Sequence, residues 1–123
     1  MPSGNISTLT LTVVASAAVS AERFVTQSGG YPVAGGVAFG VTRTSAAQAG
    51  DLLPVDVQGT SIVEAGGAIS LDAALMVDAQ GRVVPLTVGS KSPVARALGV
   101  AAAAGERIEV LLVPSAGLVS AAA

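Results

Sequence analysis

The chain has 123 residues, 51% of them hydrophobic, yet aromatics make up only 2%, and 24 Ala and 19 Val supply most of the apolar material. With no Cys, no His, six basic and eight acidic residues and a net charge of −2, it lacks a disulfide framework, a thiolate or imidazole site, and a phosphate-neutralising basic face. One small core of Ala and Val buries little area per residue, so support from neighbouring chains is expected.

From the N-terminus, Met1–Thr8 is polar, and Ser7 to Val13 alternates polar with apolar residues, the period of a strand. A strand is predicted over Leu9–Ala15, with Leu9, Leu11 and Val13 on one face. The Ala/Ser-rich Ala15–Ala21 offers little for a core. Residues 1–21 therefore read as an extended arm. A free strand invites edge pairing, so the arm is expected to join a partner's sheet and seat Leu9, Leu11 and Val13 in alternate pockets. Val19-Ser20-Ala21 imitates a cleavage site, but no Lys or Arg precedes Arg23, as a signal peptide would want. A secreted or surface β-module cleaved after Ala21 stays as the alternative.

Further strands are predicted at Arg23–Thr26, Val37–Thr42, Leu52–Val57, Ser61–Glu64, Ala74–Val77, Arg82–Thr87 and Arg107–Val113. Their β-branched content and their spacing imply an all-β domain, a small barrel or sandwich, over residues 22–114. Asp78-Ala79-Gln80-Gly81 reads as a hairpin turn. Helix is limited to at most one short element, with Val94–Leu98 after Pro93 the best candidate. The expected core is Leu52, Val55, Val57, Ile62, Leu75, Val77, Val84, Ile108, Val110 and Leu112. Residues 115–123 read as a flexible tail.

A partial repeat is visible. Gly40-Val41, small residues, Gly50-Asp51 and an apolar strand are echoed by Gly99-Val100, Ala101–Ala104, Gly105-Glu106 and the strand after Arg107. Duplication and chance matching in an Ala/Gly/Val-rich chain both account for it.

The mean hydropathy of +0.72 raises the question of a membrane span, but a spanning helix needs about 20 apolar residues. The run Val13–Ala21 is interrupted by Ser16 and Ser20 and closed by Glu22-Arg23, so no membrane partner is expected. The basic residues are scattered singly, so nucleic acid is not expected either.

A catalytic constellation is hard to assemble. Asp51, Asp78 and Glu106 sit in turns, and Asp56 and Glu109 are expected on the solvent or subunit-facing sides of strands. A small carboxylate-based enzyme is the weaker alternative, since it needs two acids across a cleft. Lys91, between Ser90 and Ser92, could serve only a Ser–Lys dyad. No catalytic residue, cofactor or metal site is expected.

Asn5–Val13 with Ala21–Val25, Ala38–Val41 before Ala49-Gly50-Asp51, Val63–Ile69, Ala74–Val83 and Ala97–Leu112 together resemble the capsid cement, or head decoration, proteins of tailed bacteriophages. The resemblance runs from about Asn5 to Pro114. It implies a non-enzymatic virion protein on the outer surface of the capsid, assembled in the host cytoplasm. It also implies binding to the major capsid protein and self-association, with a homotrimer favoured and a dimer possible.

Overall fold

A computed structural model describes residues 6–87 and 91–113. Their strands are β1 (Ser7–Val14), β2 (Phe24–Val25), β3 (Gly40–Thr42), β4 (Leu52–Glu64), β5 (Ala74–Val77), β6 (Val83–Pro85), β7 (Ala95–Ala97) and β8 (Arg107–Leu112). The named pairings are all antiparallel. The order is β2-β3-β4-β8-β7-β5-β6, with β1 on the side of β4. The Phe24 amide donates to Gly81 O at 2.7 Å, bringing the β5–β6 hairpin back to β2 and nearly closing a barrel. The fold is all-β, and no helix occurs among the described residues.

Several local expectations change. Leu52–Val57 and Ser61–Glu64 are one strand, β4, bent at Gly59 (φ 97°). Only Gly enters that backbone region without strain, and here a Cβ would also collide with Ile6 O. The bend changes the strand's phase: Asp56 before it and Ser61 after it point to one face, where Ser61 Oγ donates to Asp56 Oδ2 at 3.0 Å. The helical turn expected at Val94–Leu98 is instead strand β7, held between β5 and β8. Tertiary ladder hydrogen bonds outweigh the weak helix propensity of a five-residue run. The Asp78–Gly81 turn is as expected: the Gly81 amide donates to Asp78 O, with Gly81 at φ 75°.

The core splits into two clusters. One contains Val13, Ala15, Val19, Val25, Ala46, Leu53 and Val55. The other contains Val63, Ala65, Ile69, Leu75, Ala101, Ile108 and Val110, joined by Phe24, Val41 and others. Taken in chain order, those two sets match member for member. Of the predicted core, Val55, Leu75, Val77, Ile108, Val110 and Leu112 are buried, whereas Leu52 is exposed and Val57, Ile62 and Val84 are half-buried. The neighbours Leu53, Val63 and Val83 are buried instead of Leu52, Ile62 and Val84. A slip of one residue turns a strand inside out, and a continuous apolar run carries no phase of its own.

The duplication is real in the fold. β1 pairs with β4 as β4 pairs with β8, β2 with β3 as β5 with β7, and β3 with β4 as β7 with β8. Val19 bridges Ala46 as Ile69 bridges Ala101. Glu22 (φ 62°) and Asp72 (φ 67°) hold the same left-handed backbone, and their amides donate to Thr42 O and Ala97 O. The Gly-acid turns match too: Asp51 Oδ2 accepts from the Ala47 and Gln48 amides, and Glu106 Oε1 from the Ala102 amide. Strand β4 serves both repeats. The Gly99-Val100 match to Gly40-Val41 is coincidental, because Ala95 and Arg96 occupy the places of Gly40 and Val41.

Candidate interaction surface

The segment expected to reach a partner's sheet pairs with its own. Leu11 lies opposite Val55, and Val13 opposite Leu53, on β4. Leu9, Leu11 and Val13 share a face, as alternation requires, but their surroundings differ. Val13 is buried in the first core, while Leu9 and Leu11 are exposed at its rim. The expected flexible tail, 115–123, lies outside the described residues.

Charged side chains scattered along the sequence converge in space. Glu64 is buried, and its Oε1 lies 3.0 Å from Arg23 Nη2 and 3.6 Å from Arg107 Nη2. Its Oε2 lies 3.9 Å from Arg82 Nη1. Arg107 also pairs with Glu22, and Arg82 Nε lies 3.0 Å from Asp78 Oδ2. Three arginines and three carboxylates thus weld β2, β4, the β5–β6 hairpin and β8 together. Nothing in the sequence spacing announces this cluster, because every pair except Arg82–Asp78 is long-range.

Of two acids expected on the outward sides of strands, one is not. Asp56 is fully buried; it pairs with Arg43 Nε at 3.0 Å and accepts from Thr10 Oγ1 at 3.0 Å as well as from Ser61. Glu109 shares the outward side of β8 with Arg107 and Leu111, set low in a surface groove. Strand alternation set the expected sides, but the bend in β4 carries Asp56 into the barrel, where hydrogen bonds and an arginine compensate its desolvation.

Lys91 lays its methylenes against Gly35, and Ser92 is fully buried with its amide on Gly35 O. No group of acidic residues among the described residues could hold a metal ion, nor is any helix there long and apolar enough to cross a membrane. Two shallow grooves open on the described surface. One of about 310 Å³ is lined by Leu71, Leu98, Val100 and Ile108, with Arg107 and Glu109. Another of about 280 Å³ lies between Ala74, Pro93, Arg96, Leu111 and Val113.

Large apolar side chains line these open grooves or lie on strand faces. Val14 and Leu52, cross-strand partners, are both exposed, as are Leu71, Leu98, Val100, Leu111 and Val113. Exposed apolar residues gathered on particular faces mark surfaces for association. They are the chemical feature of this molecule.

Comparison with known proteins agrees in kind. The model of a family described as phage cement protein matches residues 2–112. No sequence among curated proteins matches. Among solved structures, the fold is similar to the head fiber gp8.5 N base in bacteriophage phi29. The TM-score is 0.67 at 19% identity, covering 85% of this chain and 93% of that one.

Proposed function

Because the chain belongs to the phage cement protein family and is thereby a structural component of a phage head, we propose that it decorates the outer surface of the capsid and stabilises contacts between major capsid protein subunits. The family match over nearly the whole chain carries this reading. The surface supports it: apolar side chains lie on open faces, while Arg23, Arg43, Arg82, Asp56, Glu64 and Asp78 are spent on internal cross-links.

Packaged DNA presses capsomers apart, and a clip across their seams raises the cost of separation. Each site can be weak, since many identical sites act together. Self-association belongs to the same proposal, with a homotrimer favoured over a dimer. Assembly stabilises a small Ala/Val core by mass action. Leu9 and Leu11, exposed at the rim of the first core, are contact residues in this reading, with Val13 anchoring their strand from below.

The test is co-sedimentation of the purified protein with heads lacking decoration, followed by heating. Binding with a raised temperature of head disruption is expected. Failure to bind such heads at micromolar concentration would sink the capsid role.

A further inference from the structure

The two repeats share a backbone plan but not a surface. In the first repeat, the row Phe24, Val41, Asp56 runs across β2, β3 and β4. All three side chains are buried, with Phe24 and Val41 packed against the core of the second repeat. The same row in the second repeat is Ala74, Arg96, Leu111, across β5, β7 and β8. It is open to solvent and borders the 280 Å³ groove. One repeat's back is covered by the other's front; the second back has no cover within the chain.

We propose that a second copy of this chain covers it, seating the front of its first repeat, around Leu9 and Leu11, on that row. Val13, Val25, Leu53 and Val55 behind those leucines are already buried within the chain, so the contact would use the open rim of that front rather than its core. This rests on the self-association proposed above, and it names the faces.

Side-chain chemistry follows the same correspondence. The inner junction includes Ser61 hydrogen-bonded to Asp56. Moved to the outer junction, Ser61 becomes Leu11 and Asp56 becomes Leu111, which are 41% and 42% exposed. Arg43, which pairs with Asp56, becomes Leu98. Glu64 and Arg107 become Val14 and Leu52, 56% and 66% exposed. Ala21 becomes Leu71, 62% exposed. Ser61, Asp56 and Arg43, polar at the inner junction, are Leu11, Leu111 and Leu98 at the outer one, while Val41 runs the other way and becomes Arg96, paired with Asp72 at 3.3 Å.

The substitution pattern makes physical sense. A junction tethered by β4 gains specificity from ion pairs without needing much affinity. A junction between separate molecules must offset lost translational and rotational freedom, and apolar area is the general means. Because the two faces differ, the contact is heterologous, joining back to front.

The chain has no cysteine, so engineered thiols report the contact directly. Leu11→Cys and Leu111→Cys variants, oxidised as a mixture, should yield a disulfide-linked dimer containing one of each, while neither variant alone cross-links. In parallel, Leu111→Glu should raise the concentration needed for association at least about tenfold in sedimentation velocity, since it buries a charge. Its β-type circular dichroism should be unchanged. A wild-type chain that stays monomeric at micromolar concentration, cross-linking in a single variant, or no cross-link in the mixture would overturn the proposal. Head binding is scored separately. Mapped association without head binding sinks the capsid reading alone, and head binding by a monomer sinks this one alone.

Discussion

Glu64 and Arg107 face each other across β4 and β8, with Arg107 Nη2 3.6 Å from Glu64 Oε1, and the same two places in the first repeat hold Val14 and Leu52. One cross-strand pair of the duplicated plan is an electrostatic clasp on a buried carboxylate; the other is an exposed apolar pair. The clasp is the denser node, since Arg23 and Arg82 converge on the same carboxylate.

Glu64→Gln keeps the shape of that node but removes its charge, leaving Arg23, Arg82 and Arg107 without their shared anion. The arginines are partly exposed, so the loss is moderated by water. A destabilisation of about 2 kcal/mol is expected for a charged hydrogen-bonded group at this depth. Calorimetry should show the melting temperature falling by roughly 6–10 °C. A change within a degree would mean that the cluster is ornamental.

Leu53→Ala and Ile108→Ala strike corresponding core positions, one in each repeat, and each should cost about 2–5 kcal/mol. Leu52→Ala, one residue away but facing outward, should change the stability of the monomer by no more than about 0.5 kcal/mol. Chemical denaturation at low protein concentration separates the three. Equal losses for Leu52 and Leu53 would show that the assigned strand phase is wrong.

Gly59→Ala places a β-carbon against Ile6 O and forces a positive φ on a residue with a side chain. A loss of about 1–3 kcal/mol is expected from strain alone. Hydrogen exchange should locate the damage first at the Thr60 amide, which donates to Ile6 O. Wild-type protection there would contradict the bend described for β4.

Removing residues 1–14 deletes β1 and Val13, uncovering the edge of β4 and the first core. The truncated chain should lose its cooperative melt or become insoluble, because an open apolar edge aggregates. A soluble, cooperatively folding remainder would show that β1 is an accessory strand.

Alternation and turn residues were enough to read the all-β architecture, the hairpin at Asp78–Gly81 and most strand positions. The duplication was legible in a form that the Gly-Val pairing missed. Val13, Ala15, Ala18, Val19, Ser20 and Glu22 align with Val63, Ala65, Ala68, Ile69, Ser70 and Asp72 at identical spacing. Those positions are where β1 and β4 end and the chain turns, so their spacing is set by geometry. The phase of β4 was not legible, because Leu52-Leu53 offers two apolar choices and the bend at Gly59 resets alternation. Nor was the cluster at Glu64, whose members meet only through the register of β4 with β8 and the return of the hairpin to β2. The grouping of exposed apolar residues by repeat needed the fold to define which positions correspond.

Strand β4 runs unbroken through both repeats, and this governs how the molecule carries load. Tension applied across the two halves passes along a covalent backbone. Its flanking ladders, β1 on one half and β8 on the other, are loaded in shear, so their hydrogen bonds must fail together rather than one at a time. At the proposed seam between copies no such tie-bar exists. On the proposed capsid, separation under load would therefore begin at those seams while each subunit stayed whole.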